Sequence, residues 1–391
     1  MIIEFLLNAT AVLLLAPVLV FFTQVLSACF PKTNKNGLKP TAANVAILVP
    51  AHNEAEGIAA TINSIMPQLK PGDRLLVVAD NCTDNTAAVA TANGAEALER
   101  HDPGKPGKGY ALDFGINFLA QNPPDIVVII DADCIVAEHT LNKLATYASH
   151  HMRPVQGLYL MFSPRGTGLK TRIAEFAWVV KGLVRPRGYA KLGLPCQLMG
   201  SGMAFPWEIL SRVNLANGNI VEDMKLGIDL CKVGKPPIFL EDAMVTSYFP
   251  NSASAQAGQR TRWEHGHLGM ILAEAPRLFW LAGTRLNKDL FGMAFDLCVP
   301  PLALLVVMLS ALLAIAAIAS FSGVSTLPLM IAVCAMTILT LAILLAWWNW
   351  GRQIITLTTL LLVPVYVISK IPFYFSFIFK RQKKWIRTDR N

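Results

Sequence analysis

Three stretches of this chain carry no charged residue: Phe5 to Pro31 (27 residues), Leu297 to Gly351 (55) and Gln353 to Ser369 (17). A helix needs about 20 consecutive apolar residues to cross a membrane. The first run is therefore long enough for one crossing, and the second for two, joined near Ser320–Thr326. Pro364, Lys370 and Pro372 interrupt the third, which reads as a kinked or re-entrant segment. Outside these runs the 34 basic and 26 acidic residues make up about 20 % of the chain, close to the ~25 % of soluble domains. The expected organisation is an N-terminal transmembrane helix (1–31) and a soluble domain (40–285, with 264–285 as a candidate interfacial helix). A C-terminal membrane region of two to three helices (294–379) and a basic tail (380–391) follow. A purely soluble enzyme, a secreted disulfide scaffold and a disordered tail protein are excluded.

Lys32, Lys35 and Lys39 follow the first apolar run, and Arg285 and Lys288 precede the second. By the positive-inside bias the soluble domain faces the cytoplasm of an integral membrane protein. The basic tail (Lys380, Arg381, Lys383, Lys384 and Arg387) also belongs inside, which is why the last apolar segment is not read as a full crossing. Leu26-Ser27-Ala28-Cys29 resembles a lipoprotein cleavage box. The segment starts with Glu4 instead of a basic region, however, and its apolar run is long for a signal peptide, so it reads as uncleaved. Seven cysteines without a CxxC pair argue for reduced thiols, and against a disulfide framework or a zinc site.

Within the soluble stretch the pattern alternates strand and helix. Val45–Val49, Leu75–Ala79 and Ile126–Ile130 are short continuous apolar runs, as in a parallel sheet covered on both faces. The first two are followed by a helical pattern. Their C-terminal ends lead into polar clusters: Pro50-Ala51-His52-Asn53-Glu54, Asp80-Asn81-Cys82-Thr83-Asp84 and Asp131-Ala132-Asp133. Ligands bind at that edge of such sheets. Gly168–Gly188 reads as an amphipathic helix with Leu169, Ile173, Phe176, Val180 and Val184 on one face and Lys170, Arg172, Lys181 and Arg185 opposite or flanking. That stretch is either a solvated face over the core, or a helix against the anionic leaflet or beside an anionic acceptor.

Each cluster has two readings. Asp131 and Asp133 are turn acids, or hard oxygen ligands for Mg²⁺ or Mn²⁺. Lys108, in Gly107-Lys108-Gly109, is an exposed lysine or a phosphate partner. Asp80 and Asp84 cap the next helix, or hold a base and ribose. Glu222 and Asp223 are helix N-terminal acids, or one of them is a catalytic base. Gln259-Arg260-Thr261-Arg262-Trp263 is a membrane-edge anchor, or a site where Arg forks onto diphosphate and indole stacks on sugar. His265 and His267 read as structural or surface residues.

Taken together, with Gly200-Ser201-Gly202 and the flanking apolar runs, these pieces resemble the membrane-embedded family 2 glycosyltransferases, relatives of cellulose, chitin and hyaluronan synthases. The resemblance covers residues 40–285 and includes a QxxRW pattern at Gln259–Trp263. It implies an α/β GT-A fold (a Rossmann-like, mostly parallel sheet) and inverting, metal-dependent sugar transfer from a nucleotide sugar, with uridine diphosphate expected as carrier. By it, Ala51, Glu54, Asp80 and Lys108 hold the nucleotide, Asp131 the ribose side, and Asp131 with Asp133 the Mg²⁺ or Mn²⁺. Asp223, paired with Glu222, is the base. Gln259, Arg262 and Trp263, with Arg260 beside them, hold the diphosphate and acceptor sugar, and Gly200 and Ser201 line the acceptor path. Asn81-Cys82-Thr83 departs from the Gly-Ser pair of many relatives.

The implied partners are a nucleotide-sugar donor, a saccharide or lipid-linked acceptor, membrane lipids and polysaccharide export proteins. Because the basic charge sits beside the membrane runs, nucleic acid is not among them. The competing readings are transfer of one sugar to a membrane lipid such as ceramide or diacylglycerol, a nucleotide-sugar sensor without turnover, and a transporter. Charge-free membrane runs count against the transporter.

Overall fold

The computed structural model describes residues 2–31, 38–216, 218–369 and 374. Lys32, Lys35, Lys370, Pro372 and the basic residues of 380–391 lie outside the described residues. Helix α1 (Ile2–Ala28) precedes an alternation of β1 (Val45–Ala51), α2 (Ile58–Ile65), β2 (Arg74–Asp80), α3 (Thr86–Ala92), β3 (Glu96–Arg100), α4 (Lys108–Leu119) and β4 (Ile126–Ile129). Next come β5 (Ile135–Val136), α5 (Thr140–His151), β6 (Val155–Phe162), α6 (Leu169–Val179) and α7 (Arg185–Lys191). They are followed by β7 (Met203–Pro206), α8 (Trp207–Leu210), α9 (Glu222–Lys232) and β8 (Ile238–Tyr248). The described chain continues in α10 (Ala253–Arg285), α11 (Lys288–Leu297), α12 (Leu302–Phe321), α13 (Leu327–Ala346) and α14 (Leu357–Ser369). Two compact units result. One draws on Thr33–Pro164 and Leu194–Gly266, the other on Met1–Lys32, Arg165–Gly193 and His267–Gln382.

The first unit is built on an eight-stranded sheet of order β3-β2-β1-β4-β7-β6-β8-β5. β1, β2, β3 and β4 run parallel, while β7 is antiparallel to both β4 and β6. Every residue of β1 and β4, and all of β2 but Arg74, is buried, because helices cover both faces. One core gathers Leu48, Leu76, Val127 and Ile129 of the strands with Leu112 and Ile116 of α4 and Phe205 of β7. The register aligns Ala51 with Ala79 and Leu48 with Ile129. The three polar clusters therefore emerge side by side at one edge.

The sequence pattern does not reveal β3. Glu96-Ala97-Leu98-Glu99-Arg100 has good helix formers and no alternation, yet it pairs along β2 with Asp80 opposite Arg100. As the last strand of the sheet it needs no apolar run on both faces.

The second unit is helical. Among the described residues three helices are long and apolar enough to cross a membrane: Ile2–Ala28, Leu302–Phe321 and Leu327–Gly351. The 55-residue run breaks where expected, between α12 and α13. The last apolar segment appears as α14, of 13 residues. Gly168–Gly188 is not one regular helix: α6 and α7 are joined by a π-turn at Val180–Val184. Its expected faces hold for Ile173, Phe176, Val180 and Val184, which are buried, but Leu169 is exposed and Arg185 lies inside. Arg185 donates from Nη2 to Asp296 Oδ1 (2.8 Å) and the Asp296 carbonyl (2.8 Å), and from Nε to Gln24 Oε1 (3.1 Å). Gln24 Nε2 donates to Asp296 Oδ1 at 2.5 Å. A buried guanidinium is tolerated when its donors are met in this way. Arg187 and Lys191 bind carbonyls at the end of α1, those of Ala28 and Phe30 (Arg187) and Pro31 (Lys191), so part of the basic stretch caps a helix C-terminus.

Candidate active site

The loops at the sheet edge are laced by side chains. Asn53, two residues beyond β1, and Asn81, one residue beyond β2, both adopt left-handed backbone (φ 53° and 52°), which Asn tolerates better than most residues. Asn53 Oδ1 accepts from Thr83 N (2.7 Å), and Asn81 Oδ1 from Asp102 N (2.8 Å). His52 Nδ1 lies 2.6 Å from the Asp80 carbonyl oxygen. Asn81 and Thr83 are thus tied into the neighbouring loops by hydrogen bonds of the Asn81 and Asn53 side chains. Asp84 resolves toward its capping role. It accepts from Thr86 N (3.0 Å), Thr86 Oγ1 (2.5 Å) and Ala55 N (3.1 Å). Burial alone would raise its pKa, but these donors outweigh that and hold it low.

Asp80 is buried at the end of β2. Its Oδ1 accepts from Arg100 Nη1 (2.5 Å) and Asn81 Nδ2 (3.0 Å), and its Oδ2 from Gly107 N at 3.4 Å. Gly107 has φ 128°, a conformation that an L side chain disfavours. It turns the chain directly into α4, whose first residue is Lys108.

Lys108 Nζ sits among acids. It is 2.5 Å from Asp131 Oδ1 and 3.9 Å from Glu222 Oε1, and it donates to the Gly200 carbonyl at 2.7 Å. A Cβ on Gly200 would lie 3.3 Å from Lys108 Nζ, 3.4 Å from Asp223 Oδ2 and 3.6 Å from Asp131 Oδ2. Gly200, with φ 91°, therefore marks the point where a lysine and two carboxylates from three separate elements converge. Ser201 is fully buried and its Oγ accepts from Asp131 N (3.0 Å). Gln156, not apparent from sequence, clamps the same turn: its Nε2 donates to the Ser201 carbonyl (2.9 Å) and its Oε1 accepts from Met199 N (2.8 Å).

The charges shift one another. Burial would lower the Lys108 pKa, but the fields of Asp131, Glu222 and Asp223 overcome it and raise it. Burial and the adjacent Asp223 push Glu222 up to about 7, with Lys108 and Arg262 pulling the other way. Arg262 thus acts electrostatically on the start of α9. Gln259, Arg262, Trp263 and Gly266 share one face of α10 by their spacing. A Cβ on Gly266 would come 2.5 Å from Val221 Cγ1, so this face packs beside Glu222 and Asp223. Arg260, one residue round, is half-buried and Gln259 is buried. At the other side of the site Ala51 ends β1, and Glu54 N donates to Thr86 Oγ1 (2.9 Å).

Asp131, Asp133 and Cys134 bring ligand atoms within 4.8 Å of one another. Burial, with Asp133 and Asp131 beside it, raises the Cys134 thiol well above its ordinary pKa, and a soft sulfur donor suits zinc or copper better than Mg²⁺ or Mn²⁺. Two carboxylates remain, a donor set that fits a small, hard divalent cation and leaves positions for phosphate oxygens.

The family model described as "Glycosyltransferase like family 2" matches residues 42–266. The chain belongs to glycosyltransferase family 2. It is 26 % identical over 274 residues to the probable glycosyltransferase YdaM of Bacillus subtilis, covering 64 % of this chain and 61 % of that protein. An uncharacterized glycosyltransferase of Mycobacterium tuberculosis is 34 % identical over 193 residues, 46 % of this chain and 82 % of the relative. Among solved structures, a mannosyltransferase from Pyrobaculum calidifontis in complex with GDP-Man and Mn²⁺ aligns with a TM-score of 0.57 at 18 % identity. The alignment covers 96 % of this chain and all of that one. The fold is thus a GT-A-like α/β arrangement with a mostly parallel sheet.

Proposed function

We propose that this chain is a membrane-integral, inverting, metal-dependent glycosyltransferase of the QxxRW type. It extends an exopolysaccharide or lipid-linked saccharide from a UDP-sugar on the cytoplasmic side, with export partners or the enzyme itself moving the product. The observation that carries the reading is the convergence of Lys108, Asp131 and Asp223 on Gly200: a cation for phosphate, an acid for a metal and an acid for a proton meet at one buried glycine. Three membrane-length helices support the location. Exposed Leu272 and Trp280, on one stripe of α10, support the interfacial segment 264–285.

In this reading Ala51, Glu54 and Asp80 seat the nucleoside. Lys108 and Arg262 face the diphosphate, whose negative charge grows as the glycosidic bond breaks. Asp131 and Asp133 hold Mg²⁺ or Mn²⁺, which supplies further charge neutralisation at the leaving group. Asp223 accepts the proton of the acceptor hydroxyl, and attack opposite the diphosphate turns an α-linked donor into a β-linked product. Glu222, pushed up to about 7 by burial and the adjacent Asp223, lies beside the proposed base at the start of α9. Gln259, Arg260 and Trp263 shape the acceptor side together with the Gly200–Ser201 turn.

Asp223→Asn tests the reading. It should keep UDP affinity while UDP release from a matched UDP-sugar falls by a factor on the order of 10² to 10⁴. Substantial residual turnover would remove Asp223 as the base. Sizing the labelled product of the wild type separates a growing polymer from a single chloroform-extractable glycolipid.

A further inference from the structure

The Asp80–Arg100 pair has a consequence for which nucleotide the site accepts. A carboxylate offers about four acceptor positions, two on each oxygen. On Asp80 Oδ1 both are taken, by Arg100 Nη1 at 2.5 Å and Asn81 Nδ2 at 3.0 Å. Oδ2 accepts one long bond, from Gly107 N at 3.4 Å, and keeps a single position. Arg100 is itself fixed. Its Nη1 also donates to the Lys105 carbonyl (3.1 Å), its Nη2 to Asp102 Oδ2 (3.2 Å), and its guanidinium lies 5.6 Å from the Tyr110 ring centroid. It also stands directly across the strand pair from Asp80, and both side chains are buried.

We propose that Arg100 is the positioning residue that sets base specificity: by occupying one oxygen of Asp80 it leaves room for a single N–H donor. Uracil presents one imide N–H between two carbonyls. Guanine presents adjacent ring N–H and amino N–H donors, which pair with a carboxylate through both of its oxygens. With Oδ1 filled, guanine loses half of that pairing and uracil loses nothing. The proposal rests on Asp80 facing the donor base. It adds that Arg100, which need not touch the nucleotide, decides between uridine and guanosine carriers.

The test measures binding of UDP and of GDP, each with Mn²⁺, to the full chain in detergent by titration calorimetry. The wild type should bind UDP more tightly by a factor on the order of ten, as expected for one charge-assisted hydrogen bond. A wild type that binds GDP as tightly or more tightly overturns the proposal without any variant. Arg100→Gln should reduce the UDP:GDP ratio about tenfold by freeing Oδ1, while Arg100→Lys, which keeps a cation at Oδ1, should retain the ratio. Loss of the ratio in Arg100→Lys as large as in a folded Arg100→Gln would overturn it. Asp80→Asn separates the two levels. If it leaves UDP affinity unchanged, Asp80 does not face the base and the underlying reading fails. If it weakens UDP while Arg100→Gln keeps the wild-type ratio, the Arg100 proposal alone fails.

Discussion

Replacing Gly200 by alanine tests whether the convergence point of the site tolerates a single added carbon. Two costs add. The left-handed φ of 91° disfavours any L side chain by roughly 1–2 kcal/mol. The new Cβ, 3.3 Å from Lys108 Nζ and 3.4 Å from Asp223 Oδ2, overpacks the turn by about 1–2 kcal/mol more. Gly234 provides the control: its φ is 77° and nothing lies within 4 Å of its would-be Cβ, so Gly234→Ala carries only the backbone cost. At about 3 °C per kcal/mol for a unit of this size, Gly200→Ala should melt roughly 6–12 °C low and Gly234→Ala roughly 3–6 °C low. Well below both melting points, UDP release should drop at least about tenfold in Gly200→Ala, on the scale of a lost charged hydrogen bond, because Lys108 must leave the Gly200 carbonyl. Gly234→Ala should keep wild-type turnover. If Gly200→Ala turned over within twofold of wild type, or Gly234→Ala lost as much, the argument from close approach would be refuted.

Glu222 yields a pH prediction. Its pKa rises from 4.5 to about 7 on folding, so the stability it contributes is complete below about pH 4.5 and is lost as pH rises through about 7. Glu222→Gln should therefore flatten the fall in melting temperature between about pH 4.5 and 7, and an unchanged slope there would contradict the assignment. Gly266→Ala should cost about 1–3 kcal/mol by forcing Cβ onto Val221. Adding Val221→Ala should recover part of that loss in a double-mutant cycle, and strict additivity would count against the contact. In the helical unit, Asp296→Ala leaves Arg185 buried without its carboxylate and should cost about 3–5 kcal/mol. Arg185→Met combined with Asp296→Leu should cost less by thermal unfolding in detergent, and the opposite order would argue against a buried pair.

The strands that carry the site were legible because burial on both faces demands continuous apolar runs, as Val45–Val49 and Ile126–Ile130 show. β3 was hidden: at the sheet edge, Glu96–Arg100 needs no such run, and with it Arg100 was missed. The one sequence cue was its place two residues before the Pro- and Gly-rich stretch Asp102–Gly109. The neighbourhood of Arg262 and Glu222 could not be read locally, since the two lie 40 positions apart in the numbering and only the packing of Gly266 on Val221 relates them. The amphipathic reading of Gly168–Gly188 failed at Arg185 for a similar reason. Charge says a side chain seeks solvent, and only tertiary structure supplies the Gln24 and Asp296 that let it stay inside.

The Gln24 contact also sets a schedule for biogenesis. Its partners are far along the chain, Arg185 at 161 residues and Asp296 at 272. At roughly 5–20 residues per second, Asp296 is synthesised about 14–54 s after Gln24. Until Arg185 is made Gln24 has neither partner, and until Asp296 is made it lacks the second, so its amide must be met by other donors and acceptors in the meantime. Nascent chains arrested between residues 185 and 296 should accordingly be the ones that quality-control proteases recognise.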